Sequence, residues 1–401
     1  MRAGPDGRFQ LSYCTNVHPG EDWAETEAEL VRHLPPLRAA LAPRAQFGVG
    51  LRLSNRAASE LEQDGRLERF AAWLQANGLY VFTLNGFPYG SFHRTAVKAA
   101  VYAPDWTQPD RLAYTARLAR ILARLLPDGM EGGISTVPVS YKRWHKSAAG
   151  RDAALDAGVD QLLEAARMLA RVAAETGRVI HLDLEPEPDC LLEDAAETIA
   201  LFKRLLCRAG PGEEATVLRH LRVCWDACHA AVEYERTADA VSRFDAVGIE
   251  VGKLQISSAL KASLGDAVAR RALAERLRPF AEGTYLHQVV ARRGDGSLHR
   301  HADLGDALQC IHDPRAVEWR IHFHVPVFAA ECGGLSTTQA ELQETLDLLM
   351  RRPFCTHLEI ETYTWEVLPP ALRLDLQRSL LREYAWVLDA LAVQAERTCA
   401  T

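Results

Sequence analysis

Hydrophobic and polar positions alternate along this chain in short runs, and most runs are followed by a longer stretch with helical spacing. Residues 178–188 show the pattern best. Ile180, Leu182 and Leu184 alternate with His181, Asp183 and Glu185, and Pro186 and Pro188 then stop the run. A period of two predicts a strand with one aliphatic face and one His-Asp-Glu face. Burying the second face in ordinary core would cost several kcal/mol for each unpaired charge. In a parallel β/α barrel, however, the inward side chain at a strand's C-terminal end is where catalytic and metal-binding groups sit. Glu185 holds such a position.

The same rhythm runs through the rest of the chain. Strands are predicted at residues 9–16, 46–53, 79–84, 132–137, 221–225 and 246–256, besides the one above. Helices are predicted at 23–41, 54–76, 109–126, 152–176 and 194–207. Ser54 or Asn55 suits a helix start, and Gly78 and Gly177 suit helix ends. The regularity then breaks. A helix near 266–280 is followed by strand-like runs at 284–291, 319–328 and 357–363, and a final helix covers 370–397. Strands alternating with helices of this length mean a parallel sheet. Polar residues at repeated strand ends favour a (β/α)8 TIM barrel over an open sheet, and no Gly-x-Gly-x-x-Gly follows the first strand to support dinucleotide binding. The expectation is one domain, residues 1–401, with an insertion at 257–318.

Composition narrows the function classes. The 401 residues are 48% hydrophobic and 25% charged, with a net charge of −7. That balance gives no electrostatic footprint for nucleic acid, and it argues against a phosphodiesterase or abasic-site endonuclease built on the same barrel. No run approaches the roughly 20 apolar residues of a membrane span, and the first ten residues do not read as a secretory signal. Nine cysteines, Cys399 among them, include no Cys-x-x-Cys pair. They read as reduced thiols of a cytoplasmic protein.

The chemistry gathers at the late strand ends. Glu185, Asp226, Lys253, Gln255, His322, His324, Glu359 and Glu361 all fall at inward positions by parity. Carboxylates with an amide or imidazole make an oxygen-rich site suited to Mn²⁺, Mg²⁺ or Co²⁺, with Zn²⁺ as a further option. His229, three residues after Asp226, is placed to orient that aspartate or to touch substrate. Asn85 opens a long aromatic loop that also carries Trp106, and a loop of this kind is more often functional than idle. Asn85, Trp106, Lys253, His287, His322 and His324 are therefore candidate substrate contacts.

Glu at strand five, Asp-x-x-His after strand six, a polar residue on strand seven and Glu on the last strand together resemble the xylose isomerase-like (sugar isomerase/epimerase) barrel superfamily. Residues 253–257 (KLQIS) resemble the corresponding strand of hydroxypyruvate isomerase-type members. Residues 13–21 (YCTNVHPGE), 85–90 (NGFPYG), 184–188 (LEPEP), 225–226 (WD), 322–326 (HFHVP) and 361–365 (ETYTW) resemble the EboE family of metabolite-traffic barrel proteins over nearly the whole chain. The superfamily resemblance implies Glu185, Asp226, Gln255 and Glu361 as ligands of a divalent metal ion. It also implies Glu185 and Glu361, assisted by His229, as the catalytic groups of an isomerase or epimerase of a sugar-like or hydroxy-keto metabolite. The His-rich insertion departs from the superfamily pattern, so His287, His322 or His324 stays open as a replacement for Gln255. Glu359 stays open as the alternative to Glu361. The EboE resemblance implies a role in secondary-metabolite processing or traffic, and equally a non-catalytic metabolite-binding protein. Its implied partners are a small-molecule metabolite and proteins encoded in the same cluster, with a homodimer as the assembly considered.

Overall fold

A computed structural model describes residues 1–93, 95–370 and 373–398, with side chains through residue 392. Cys399 lies outside the described residues, and the eight described cysteines form no disulfide. Eight parallel strands build the main sheet. They are β1 (Phe9–Tyr13), β2 (Phe47–Arg52), β3 (Leu79–Asn85), β4 (Gly132–Thr136), β5 (Ile180–Leu184), β6 (Leu221–Asp226), β7 (Val251–Ile256) and β8 (His357–Ile360). From β2 to β8 each pairs with its neighbour in chain order, and β8 also pairs with β1. A parallel bridge between Cys14 and Gly50 brings β1 against β2 and nearly closes the ring. This is the TIM barrel predicted from the strand and helix rhythm.

The local chemistry explains the helix ends. Asp22 accepts from the Glu25 N–H to start Trp23–Leu41, and Ser54 accepts from Ala57 to start Asn55–Leu61. Gly177, in the left-handed region, ends Ala148–Thr176. The single helix expected over 54–76 is two, Asn55–Leu61 and Arg66–Ala76, because Asp64 and Gly65 take positive φ between them. The run at 246–256 becomes a strand only from Val251, the stretch before it being a helix end and turn.

Between β7 and β8 the chain forms a second, antiparallel sheet. Its strand order is Leu298–His301, Val289–Arg293, Ala316–Ile321, Leu260–Ser263, Leu335–Thr337 and Glu331–Cys332. The sheet draws on residues 260–337, beyond the 318 expected. The strand-like run at 319–328 is split. Ile321 ends a strand of this second sheet, and 322–328 leave it as irregular backbone over the barrel mouth.

The barrel interior is polar. Ile180, Leu182 and Leu184 are fully buried in the apolar core, whereas His181, Asp183 and Glu359 fill the inside with almost no exposure. Glycines make the room. A Cβ on Gly50 would lie 1.7 Å from Glu359 Oε1, and one on Gly252 would lie 2.0 Å from Asp183 Oδ1. Lys253 neutralises Glu359 at 2.7 Å and bonds Ser135 Oγ at 3.1 Å. His181 Nδ1 meets Asp183 Oδ1 at 2.6 Å.

Candidate metal and substrate site

Four strand ends deliver the central groups. Glu185 follows β5, and its N–H still bonds Thr136 O on β4 at 3.1 Å, so the side chain stays in barrel register until Pro186 turns the chain away. Asp226 ends β6 and caps the short helix Ala227–Val232. Its Oδ1 accepts from His229 N and Ser257 Oγ, each at 2.8 Å. Glu361 follows β8, where its Oε1 accepts from Asn16 Nδ2 at 2.8 Å and Asn85 Nδ2 at 2.9 Å. Glu185, Asp226 and Glu361 are all buried and offer oxygens within 4.8 Å of one another.

Gln255 lies at the register position between Asp226 and Glu359, on the strand that separates β6 from β8. Both of its amide atoms are buried without a hydrogen-bond partner among the described residues, as are Glu185 Oε2, Asp226 Oδ2 and His324 Nε2. Unpartnered buried donors and acceptors are rare and costly. The oxygens and imidazole nitrogen gathered here have the chemistry of a divalent-cation site, so this donor set fits the metal that the sequence pattern implied.

Three histidines stand beside the carboxylates. His229 Nδ1 bonds Pro186 O at 3.0 Å, His322 Nδ1 bonds Gln288 Oε1 at 2.7 Å, and His324 Nδ1 bonds Glu361 O at 2.8 Å. Asp226, His229 and His324 form a second group of potential ligands within 4.8 Å, and Glu187, His229 and His322 form a third. Burial holds His229 down at about 4 and keeps His322 and His324 below their ordinary range, so these rings are neutral at pH 7.

The carboxylates move the other way. Burial, then the charges of Glu361 and Asp226, pushes Glu185 well above the carboxylate range. Burial, then Asp226 and Glu359, does the same to Glu361. Two crowded buried acids cannot both ionise cheaply unless a cation lies between them.

Above this floor sits a cavity at the barrel mouth. Asn16, Asn85, Glu185, Glu187, His229 and Glu361 line its polar end together with His322 and His324. Its other end is apolar, made by Phe87, Pro88, Phe92, Val97 and Val101 of the aromatic loop and by Tyr285, Leu286 and Tyr363. Phe92, Tyr285 and Tyr363 pack ring on ring at 5.0–5.3 Å. The loop is fastened to the insertion through Val97 N and Lys98 N, both bonded to Thr284 O.

Three of the candidate substrate contacts do not line the cavity, and neither do Asp226, Gln255 and Glu359. Trp106 is turned into the barrel wall, where Nε1 bonds Thr136 Oγ1 at 3.1 Å. Lys253 is committed to Glu359, one layer below the carboxylates. His287 bridges Glu282 Oε1 at 2.8 Å and the carbonyl of His322 at 2.9 Å, holding the His322 backbone from behind. Glu359, held by Lys253, leaves the cavity wall to Glu361. The sequence reading did not place Glu187 or Tyr102, which bond each other at 2.6 Å on that wall. The signal for Glu187 was its place between Pro186 and Pro188.

No protein-family model matches the sequence, and no curated protein matches it. Solved structures do. The chain is similar to a xylose isomerase-like TIM barrel protein from Mycobacterium smegmatis, solved in complex with magnesium. That match has 11% identity and a TM-score of 0.52, and it covers 96% of this chain and 97% of that one. A xylose isomerase domain protein from Alicyclobacillus acidocaldarius matches at 13% identity and a TM-score of 0.44, over 96% and 98% of the two chains. The zinc-bound IOLI protein matches at 10% identity and a TM-score of 0.46, over 95% and 98%. At these identities the likeness speaks for architecture, and the chain has the xylose isomerase-like TIM barrel fold.

Proposed function

We propose that this protein is a divalent-metal-dependent isomerase or epimerase of a sugar-like or hydroxy-keto metabolite. The observation that carries the reading is the meeting of Glu185, Asp226 and Glu361 at the barrel mouth, within 4.8 Å and with unpartnered oxygens on the first two. Glu185, Asp226, Gln255 and Glu361 would hold the ion, of which Mn²⁺, Mg²⁺, Co²⁺ and Zn²⁺ are the candidates. A divalent ion there supplies the positive charge that polarises carbonyl and hydroxyl oxygens.

The chain's own groups do the proton work. One of Glu185 and Glu361, ionised, takes the proton α to the substrate carbonyl as the C–H electron pair shifts toward the carbonyl. The other, or a water beside it, returns a proton at the adjacent carbon or at the opposite face. Asn16 and Asn85 hold Glu361 in one orientation for that exchange, and His229 orients Asp226 through its backbone N–H. The apolar cavity wall keeps bulk water from the reacting carbon.

A second reading has support of its own. The resemblance to EboE-type metabolite-traffic proteins, together with a cavity roof fastened to the insertion, favours a protein that binds a secondary metabolite or precursor and passes it on. One experiment separates the two readings. Purified protein with added Mn²⁺ is incubated in deuterium oxide with a panel of ketoses and hydroxy-keto acids. Deuterium appearing at the α carbon supports the isomerase. Ligands that bind without any exchange would leave the carrier reading standing.

A further inference from the structure

Glu187 stands on the cavity wall outside the group that Glu185, Asp226 and Glu361 form. It is 5% exposed and sits between two prolines, in a turn pinned by Glu187 N to Leu192 O at 3.0 Å and by Cys190 N to Glu187 O at 3.2 Å. The hydrogen bonds that reach its side chain run in one direction. Gln288 Nε2 donates to the Tyr102 hydroxyl oxygen at 2.9 Å and to Pro188 O at 3.1 Å. Tyr102 then gives its one proton to Glu187 Oε1 at 2.6 Å. His322 Nδ1, 3.5 Å from the same oxygen, is committed to Gln288 Oε1 at 2.7 Å.

Every one of these contacts orients the carboxylate, and none brings it a charge. Nearby acids are matched: Lys142 meets Glu193 at 2.7 Å, Arg143 meets Asp189 at 2.8 Å, and Arg300 meets Glu233. Glu187 has no lysine or arginine beside it among the described residues, and Lys98 on the same wall is held by Asp303 and Glu282 O. A buried carboxylate without a positive partner is strongly disfavoured. A ligand hydroxyl would supply a hydrogen bond but not the missing charge. An ammonium group supplies both, and the rings of Phe87, Tyr102, Tyr285 and Tyr363, which line the same cavity, suit a cation.

We infer that the ligand of this cavity carries a protonated amino group, received by the Glu187 carboxylate and the aromatic wall. Glu187 is two residues from Glu185, so their Cα atoms lie within about 7 Å of each other and one small molecule reaches both. The substrate class is an amino-bearing hydroxy-carbonyl compound, an amino sugar or an amino hydroxy ketone, with its amine a few carbons from the reacting centre. The inference rests on the cavity's being the substrate pocket of the proposed function, and it names the feature by which that pocket selects among metabolites.

The test is binding to the full chain loaded with Mn²⁺, read by calorimetry and, for weak ligands, by ligand-observed NMR. The probes are matched pairs: glucosamine with glucose, 1-amino-1-deoxyfructose with fructose, and serinol with glycerol. Wild type should bind the amine of at least one pair about tenfold or more tighter than its neutral partner, the contribution of one hydrogen bond to a charged group. Glu187→Gln, which keeps the shape of the side chain, should bring the two affinities together, and a melting curve on the same preparation certifies its fold. Equal affinities in wild type, or failure of every amine to bind, would overturn the inference without any variant. So would a preference that survives Glu187→Gln, or loss of Mn²⁺ from that variant, which would make Glu187 a metal ligand. Amine preference without deuterium exchange at the α carbon would uphold the ammonium site and sink the isomerase reading. Exchange on fructose with no amine preference would do the reverse.

Discussion

Lys253 Nζ lies 2.7 Å from Glu359 Oε2 inside the barrel, and neither side chain has any exposure. The pair joins β7 to β8 directly beneath the carboxylate cluster. Replacing one partner of such a pair strands the other charge in a poor solvent, at a cost of about 3–5 kcal/mol. Lys253→Met should therefore destabilise the fold by that amount in urea unfolding. The double variant Lys253→Met/Glu359→Gln should recover part of the loss. A single variant as stable as wild type would show that water reaches this layer.

Glu185→Gln should lower deuterium exchange at the substrate's α carbon by at least about 100-fold, the smaller end of what a positioned acid or base contributes. It should leave the thermal midpoint unchanged or raise it, because it removes a buried acid with an unpartnered oxygen. Isotope incorporation and a melting curve on the same preparation check both halves.

Gly50→Ala should be among the most damaging small substitutions in the chain. Its Cβ would lie 1.7 Å from Glu359 Oε1 and 2.9 Å from Tyr13 O, so either the ion pair or the β1–β2 bridge must move. Overpacking of this kind costs about 1–3 kcal/mol. Gly90→Ala, with nothing within 4 Å, is the control and should change stability little. Denaturant midpoints for the two variants decide the matter.

Glu383 gives stability a pH dependence away from the site. It is fully buried, and burial pushes it up to about 8 despite bonds from Thr362 Oγ1 at 2.6 Å and Val327 N at 3.2 Å. The folded state therefore binds this proton more tightly than the unfolded chain does. Its contribution is fully present below pH 4.5 and is lost as pH rises toward 8, a swing of up to about 5 kcal/mol. Glu383→Gln should flatten the stability curve across that window. Parallel curves for wild type and variant would mean that the carboxyl is ionised throughout.

The cavity should discriminate against phosphorylated ligands. Lys98 is the one lysine or arginine among the described lining residues. Its Nζ is already bonded to Asp303 Oδ2 at 2.6 Å and Glu282 O at 2.9 Å. Beyond the ion that Glu185 and Glu361 would hold, a phosphate would meet Glu187 and no free lysine or arginine among the described lining residues. Dihydroxyacetone is expected to bind the Mn²⁺-loaded protein more tightly than dihydroxyacetone phosphate, read by calorimetry.

Much of this was legible before the fold was seen, because barrel strands carry their inward chemistry in period two. Ile180 to Glu185 announced both faces of β5, and the two prolines marked where it ended. Residues 319–328 misled for the same reason. Ile321 and Phe323 alternate with His322 and His324 as a barrel strand would, although Ile321 closes an antiparallel strand and the histidines follow it. Periodicity reports that one face is buried and says nothing of which sheet buries it. Trp106 and Lys253 show a further limit. Their types suit a ligand site, but their depth is set by Thr136 and Glu359, which lie 30 and 106 residues away in sequence.

β8 has a consequence for how the protein is made. It is inserted between β1 and β7, yet it leaves the ribosome after all seven other barrel strands. Until it emerges, the nascent chain displays two unpaired edges, and Lys253 has no counter-charge. Placing β8 brings Glu359 to Lys253 and Glu361 to Asn16 and Asn85, so the carboxylate cluster at the barrel mouth is complete only once the last strand is in place.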